Sequence, residues 1–543
     1  NNTIQTSPIQ RRSGEDSLLL SITQQRMWYL DQLDVDTLVY NLPAAFRIRG
    51  ELDVAALKQS FAEMVRRHEV LRTTFQWEGE TPVQVIATDF AVEVPVVELP
   101  QTADLENIQK LLQQEASQTF DLSKGPLWRA KLYRLSDKDH VLFFMPHHII
   151  FDGWSFDIVI DELSSLYAAY HAGHESPLAE LPIQYADYAL WHREWLQGDE
   201  LKRQLDYWLE QLQGRLPVLE MPTDFARPNV QTYKGSGEVI ALSREDAEAL
   251  TGVARDNGAT LYMLMLAAYA VLLSKYSGQD EIVIGSPING RERPGIDELI
   301  GYFVNTLVLR LKLDTSQGFT AFLKHVREVC LGAFSHQDTP FEQLVDELEL
   351  DRDLSHNPVF QTLFMFQDVT NRDMKLGDLP LEQVNVNRAG VATDLDLWIK
   401  QTKQELIIGL EYNTDLFSAE TITSLLHHLR VVFTNIARHP EVRVAELALL
   451  DETDINQLQQ WNATELAYAD SACVHELIAA QVERTPAAAA VGFEGKALSY
   501  EALEQRANQL AHHLQSLGVG PDVLVGVSLE RSEQMLIAVL GVL

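Results

Sequence analysis

The stretch Met145-Pro146-His147-His148-Ile149-Ile150-Phe151-Asp152-Gly153-Trp154-Ser155 constrains the chain more than any other. The apolar run Val141-Leu142-Phe143-Phe144 feeds into it and predicts a buried strand. Two histidines come next, then an Asp-Gly turn, and then apolar residues at helical spacing. Phe156, Ile160, Leu163, Leu166 and Tyr170 form the expected buried stripe, with Ser155 as the expected cap. Histidine changes charge near neutral pH and therefore suits proton transfer. An Asp on the same turn can fix the loop's geometry. The loop is a candidate active site.

The flanking pattern predicts a mixed α/β frame. Before the loop, the reading is a helix from Ser21, a strand at 46–48 and a helix at 54–68. A hairpin around Glu78-Gly79-Glu80, a helix at 104–119 and a second hairpin of strands 128–135 and 141–145 follow. This first unit closes near residue 178. A long helical stretch then opens at 182–191 and runs to about residue 213. Ser243-Arg244-Glu245-Asp246 resembles a capping arrangement, and 260–276 is apolar almost all round, as a buried helix is. Strands are expected at 281–288, 359–366, 394–400 and 405–411, a β-type run at 299–313, and a helix at 418–437. From Val474 a new α/β pattern starts: a helix, a short strand, a helix at 501–516 and a strand at 523–529. It has no finish, and the chain reads as a piece of something longer. Residues 1–16 and 451–470 are polar and read as linkers.

Composition narrows the function classes. A chain of 543 residues predicts several cores, and its net charge of −35 repels a phosphate backbone, so nucleic-acid binding is not expected. The 2 cysteines, Cys330 and Cys473, have no ligand-like spacing, which excludes a disulfide framework and fits a reducing cytosol. No apolar run has the length of a membrane span, and no signal peptide is visible, so neither membrane association nor export is expected. A cytoplasmic location is the expectation. No metal cluster and no phosphate-binding glycine fingerprint stand out.

His147-His148, then three residues, then Asp152-Gly153 resembles the HHxxxDG motif of condensation domains in non-ribosomal peptide synthetases. Other stretches match that family in the same order. They are 21–30, the Arg67-His68-Glu69-Val70-Leu71-Arg72-Thr73-Thr74-Phe75 run, 185–191, and Ile300-Gly301-Tyr302-Phe303-Val304-Asn305-Thr306. His336-Gln337-Asp338-Thr339-Pro340-Phe341-Glu342 and Arg352-Asp353-Leu354-Ser355-His356-Asn357-Pro358 extend the match. The chain departs from the family pattern at Tyr302, where Phe is usual, and at His356, where Arg is common; neither is expected to touch the chemistry. Leu498-Ser499-Tyr500-Glu501-Ala502-Leu503 is similar to the opening of an adenylation domain.

The resemblance implies an α/β fold of two chloramphenicol-acetyltransferase-like lobes in a V-shaped pseudo-dimer, plus an incomplete adenylation fragment. The implied layout is a linker at 1–16, an N-lobe at 17–178, a C-lobe at 179–450, a linker at 451–470 and the fragment at 471–543. The implied reaction is attack of an acceptor α-amine on a donor thioester, with an L-configured donor. Substrates would arrive on the 4′-phosphopantetheine arms of an upstream donor and a downstream acceptor carrier domain, beside an adjoining adenylation domain. No cofactor bound by the chain itself is expected, and the fragment is expected to lack adenylation activity.

His148 is the expected catalytic residue, taking a proton from the amine or holding it in place. Adjacent side chains on an extended segment point to opposite faces, so His147 is read as structural. Asp152 can act as base, loop staple or capping acid; the resemblance pairs it with Arg291 in a clamp between lobes. Gly153 fits a turn with positive φ or close approach to the thioester, where its amide can face the oxyanion. Trp154, Ser155 and Asn305 are expected near the tunnel. The histidine pairs 427–428 and 512–513 read as solvated helix faces. Epimerisation is the nearest rival, since it shares the motif. A heterocyclisation domain carries aspartates instead of the pair, and a coenzyme A acyltransferase would not precede an adenylation start. A catalytically silent recruitment domain is the rival from another class.

Overall fold

In the strand Asp139–Pro146 every residue after Asp139 is buried, so the polar alternation of a solvent-facing strand is missing. The reason is its place in the sheet. The computed structural model describes residues 8–12, 17–32, 37–100, 105–348, 350, 353–369, 374–386, 390–466 and 472–543. Residues 1–7, 13–16 and 467–470 of the expected linkers, residue 104 of an expected helix and Arg352 of its motif lie outside these. The described chain divides into two units, Asn1–Glu452 and Thr453–Leu543.

The first unit holds two six-stranded sheets. In the first, Asp139–Pro146 lies between Ala44–Arg49 and Trp128–Ser136, antiparallel to both. Val96–Glu98 pairs parallel to Trp128–Ser136 at one edge. Helices Val54–Arg67 and Ser155–His171 pack against this sheet, and Asp53 starts the former by accepting the Ala55 and Ala56 amides. The second sheet runs Gly235–Ser243, Glu405–Asn413, Leu395–Gln401, Thr362–Asp368, Glu281–Ile288, Asn305–Lys312. Its core is built on Leu261–Ser277, whose residues from Met263 to Ser274 are all buried. Thr260 caps that helix.

The two sheets repeat one topology. Each begins with a strand that runs into a helix: Ala44–Arg49 into Val54–Arg67, and Gly235–Ser243 into Arg244–Asp256. Each then adds an antiparallel hairpin whose second strand pairs with that first strand. A further strand lies parallel on the hairpin's other side. A final helix follows the hairpin: Ser155–His171 in one lobe and Ala419–Arg438 in the other. The His-His loop is therefore equivalent by topology to residues 414–418, which carry no histidine.

Sheet membership crosses the expected lobe boundary. The hairpin Lys375–Leu376 and Leu379–Val384 adds to the first sheet, pairing Ile48 with Leu381 and Ala45 with Val384. Leu181, Tyr185, Ile296, Ile300 and Phe303 likewise fill the first core. At the start of the chain, Arg12 of the expected linker bonds Glu69 at 2.6 Å and Asp187 at 2.9 Å.

Other expectations need correction. The helical stretch to residue 213 breaks into Tyr185–Trp195 and Gly198–Gln211, because Gly198 adopts a φ of +60° that other residues avoid. Only Asn305–Lys312 of the run 299–313 is strand. The buried face of Ser155–His171 is Val159, Leu163, Leu166 and Tyr167, so Phe156, Ile160 and Tyr170 are only half-buried. His428 is half-buried against the Tyr276 hydroxyl at 2.5 Å rather than solvated. Part of the expected linker 451–470 forms the helix Glu452–Asn462, which buries no residue.

The second unit contains the helix Val474–Arg484, the hairpin Ala489–Phe493 with Lys496–Ser499, and the helices Tyr500–Ser516 and Glu533–Val542. The expected strand at 523–529 is absent. No neighbouring strand lies beside this segment among the described residues, and Leu524 within it is fully exposed. Among the described residues no single helix is long and apolar enough to cross a membrane.

Candidate active site

The last strand residue, Pro146, delivers the chain into a short 3₁₀ turn, His148–Ile150. His147 caps this turn: its Nδ1 accepts the Ile149 amide at 3.1 Å, while its own amide donates to Leu127. The ring is buried between Tyr40 and the edge of Phe120. Burial first, and then the neighbouring charge of His148, pushes its pKa down to about 3. His147 is neutral at any ordinary pH.

His148 is half-buried. Its Nδ1 lies 2.8 Å from the Phe151 carbonyl oxygen, which can only accept. Nδ1 therefore carries the proton, and the basic lone pair of the neutral ring resides on Nε2. The two histidines thus divide as adjacent residues do at a strand end, one buried and the other half-buried. Gln24, from the helix Ile22–Gln32, donates to the Ile149 carbonyl at 2.9 Å and steadies the turn from the other side. The Tyr302 ring stands edge-on to the His148 ring at 4.9 Å. The departure at Tyr302 thus packs against the His148 ring.

Asp152 is fully buried and saturated with donors. The Ser155 amide and hydroxyl each reach Oδ1 at 2.8 Å, Arg291 Nη2 reaches the two oxygens at 3.0 and 3.1 Å, and the Phe303 amide reaches Oδ2 at 3.2 Å. Arg291 follows the strand Glu281–Ile288 and also donates to the Ile296 and Leu299 carbonyls, while its guanidinium lies 4.2 Å from the Phe303 ring. Asp152, rather than Ser155, takes the amide at the helix start. The Ser155 hydroxyl instead donates to Asp152 while the Gly301 amide and Arg291 reach it at 3.2 and 3.0 Å.

These bonds explain why 299–304 is not a strand. The Ile300, Gly301 and Phe303 amides go to His68, Ser155 and Asp152, leaving no ladder to form. Tyr185 closes the loop by donating to the Tyr302 carbonyl at 2.7 Å. A Cβ on Gly301 would sit 2.1 Å from the Tyr185 ring, so the position admits only glycine. His68 and Arg67 both bond the buried Glu162, at 3.0 and 2.8 Å, and so tie the Arg67-His68-Glu69 stretch to the helix after the active loop. Burial opposes ionisation of Glu162, but His68 and Arg67 outweigh it and hold the carboxyl below its usual range.

Three further expected residues lie around this core. Gly153 is exposed and does not adopt positive φ; the nearest obstacle to a side chain is Gln367 Nε2 at 3.8 Å. Trp154 is 39% exposed at the helix start. Asn305 staples the segment beyond it, donating to the Gln337 and Thr339 carbonyls and accepting the Phe341 amide. It also borders a cavity of about 40 Å³ lined by Trp191, Arg293 and Asp338, in which His148 takes no part. Sequence reasoning missed Ser155 as a bridge between lobes, the captured amides of 300–303, and the pairing of Glu162 with Arg67 and His68. A buried-helix acid such as Glu162 was the one available signal.

The family model for the condensation domain matches residues 14–459, and that for AMP-binding enzymes matches residues 478–543. One of the linear gramicidin synthases of Brevibacillus parabrevis is 42% identical over 542 residues, which are 99% of this chain and 11% of that protein. Gramicidin S synthase 2 of Brevibacillus brevis is 37% identical over 547 residues, 100% of this chain and 12% of that protein. The chain spans about a tenth of the length of the curated relatives it matches. Among solved structures, a four-domain nonribosomal peptide synthetase bound to AMP and glycine superposes with a TM-score of 0.82 at 24% identity, over 96% of this chain and 40% of that one. The complex of the X-domain and OxyB from teicoplanin biosynthesis gives a TM-score of 0.74 at 29% identity, over 82% and 99% of the two chains.

Proposed function

The chain belongs to the condensation-domain family, and from that premise we propose that it forms an amide between a carrier-bound acyl or peptidyl donor, L-configured at its Cα, and the α-amine of a carrier-bound aminoacyl acceptor. The single observation that carries this reading is the bond from His148 Nδ1–H to the Phe151 carbonyl. It orients the ring and leaves Nε2 as the basic atom. An α-amine has a pKa near 8, so about a tenth of it is already neutral at physiological pH. His148 then acts on the neutral amine by accepting an N–H hydrogen bond, which aligns its lone pair with the thioester carbon.

Attack forms the C–N bond and a tetrahedral adduct. His148 Nε2 takes the excess proton from nitrogen, the C–S bond breaks, and the imidazolium gives that proton to the departing thiolate. His147 is a support rather than a participant, because it is buried and neutral. Asp152 and Arg291 form a clamp that holds the loop against the second lobe.

Donor and acceptor arrive on the phosphopantetheine arms of carrier domains, upstream and downstream, with an adenylation domain adjoining. Residues 478–543 match only the start of an AMP-binding enzyme, and no adenylation is proposed for them. A cytoplasmic site of action fits substrates made by such assemblies.

The resemblance to an X-domain bound to OxyB favours one second reading, a recruitment role without turnover. Loaded donor and acceptor carriers decide between the two. Amide product supports condensation; its absence, with a carrier or enzyme still bound, supports recruitment. Deuterium entering the donor Cα without bond formation indicates epimerisation.

A further inference from the structure

The second sheet keeps its core on one face, and its other face reaches the active loop. Phe364, Leu397, Ile399, Ile408 and Leu410, from three of its strands, fill the core of the second lobe. Neighbouring residues of a strand face opposite ways, so Met365, Trp398, Gly409 and Val239 share the other face. The register sets these four side by side across four strands. Among the described residues Met365, Trp398 and Val239 belong to neither hydrophobic core. Val239 is 52% exposed, and Met365 and Trp398 are half-buried. A Cβ on Gly409 would sit 2.2 Å from Cε2 and Cζ2 of Trp398, so the indole extends over the partner of Val239.

Two contacts tie this row to the first lobe. Gln367 follows Met365 on the same face, and its Nε2 is 3.8 Å from where a Cβ of Gly153 would stand. Lys400, its partner in register, donates to Gln383 Oε1 at 2.7 Å, on the strand Leu379–Val384 of the first sheet. The row thus begins beside the Asp152-Gly153 turn and continues over four strands, roughly 14 Å at the usual spacing.

Length and polarity decide what such a row can hold. An acceptor brings a single aminoacyl unit, about 3.5 Å of extended chain, while a peptidyl donor trails its earlier residues away from the thioester. Pantetheine arms are long enough, but their amides need hydrogen-bond partners that an apolar row does not supply. We propose that Met365, Trp398 and Val239 form a shelf for the apolar side chains of the donor upstream of its thioester, so that the chain selects donors by their penultimate residue. Apolar and aromatic surface beside a reaction centre suits this end, and the indole offers a broad, rigid face. The inference rests on reading the His148 loop as the amide-forming centre.

The test uses the intact chain and pantetheine probes with a hydrolysis-resistant amide in place of the thioester. One pair carries N-acetyl-leucyl-alanyl and N-acetyl-alanyl-alanyl, whose blocked nitrogens make them donors only. A second pair, leucyl and alanyl with free amines, mimics acceptors. The wild type is expected to bind the leucyl-alanyl donor about tenfold more tightly than the alanyl-alanyl one, the low end for apolar discrimination. Trp398→Ala and Val239→Ser are each expected to cut that ratio by about threefold or more, and Trp398→Phe to keep most of it. Val239 is exposed, so Val239→Ser is expected to keep its thermal midpoint and reads the shelf even where Trp398→Ala fails to fold. Equal affinity for the two donors in wild type overturns the proposal, as does a ratio that survives in both variants. A loss confined to the free-amine pair assigns the row to the acceptor and also overturns it. Loaded carriers give the separate readout. Amide product from wild type upholds the functional reading whichever way the donor ratio falls. No product, with the donor ratio lost in the variants, supports the shelf and overturns that reading.

Discussion

Arg291 and Asp152, 139 residues apart in sequence, meet in a buried ion pair in which one guanidinium nitrogen reaches both carboxylate oxygens. The pair joins the loop of the first lobe to the turn beyond a strand of the second. Each partner is held further: the carboxylate takes backbone and hydroxyl donors, and the guanidinium donates to two carbonyls. Such an arrangement specifies geometry more than it adds net stability, because desolvation offsets much of the attraction.

Removing one member leaves the other charge buried and bare. Asp152→Ala and Arg291→Met are each expected to destabilise the first unit by about 3–5 kcal/mol. The double variant is expected to lose much less than the sum. Denaturant titration of all four proteins checks this, and additive losses would show that the two residues act separately.

His147 makes a prediction about pH. Its folded pKa is about 3, below the ordinary value of 6.5. As pH falls below 6.5 the unfolded chain binds a proton that the folded chain refuses. Stability therefore drops with falling pH, by up to about 1.4 kcal/mol per unit, until pH approaches the folded value. His147→Asn retains an acceptor for the Ile149 amide and is expected to flatten that slope. An unchanged slope between pH 6.5 and 4 in the variant would place the proton uptake elsewhere.

Glu162 acts in the opposite sense to a raised group. Its folded pKa is depressed, so its contribution is complete above the unfolded value of about 4.3 and fades as pH falls through the folded one. Glu162→Gln is expected to cost stability at pH 7 and to narrow the gap from wild type in acid. Equal losses at pH 7 and in acid would show that the carboxylate charge does not matter to the Arg67 and His68 bonds.

Gly301 tests the loop that carries Tyr302. Gly301→Ala forces a methyl into the Tyr185 ring and is expected to cost about 1–3 kcal/mol, with lower amide yield through displaced Tyr302. In a Tyr185→Leu background the added cost of the alanine is expected to shrink. An identical cost in both backgrounds would remove Tyr185 as its cause.

The sequence showed most clearly what depends on local period. The buried strand before His147, the helix after Ser155, the all-apolar Leu261–Ser277 and the strand Glu281–Ile288 are visible as runs of side chains. What stayed hidden depends on partners distant in the chain. Residues 299–304 carry a strand-like pattern, yet their amides are captured by His68, Ser155 and Asp152. The segment 523–529 is largely apolar but has no strand to pair with among the described residues. The hairpin 375–384 joins the sheet of the other lobe, which no local signal records. The site was legible as a motif, since His148, Asp152 and Arg291 were all nameable. The division of labour between Ser155 and Asp152, and the contact of Tyr302 with His148, needed the fold.

The central claim is that His148 Nε2 acts on the acceptor amine, and single-turnover amide formation between loaded donor and acceptor carriers tests it most directly. His148→Ala is expected to slow product formation by about a hundredfold or more while the protein keeps its thermal midpoint. Product forming at the wild-type rate in His148→Ala would contradict the claim.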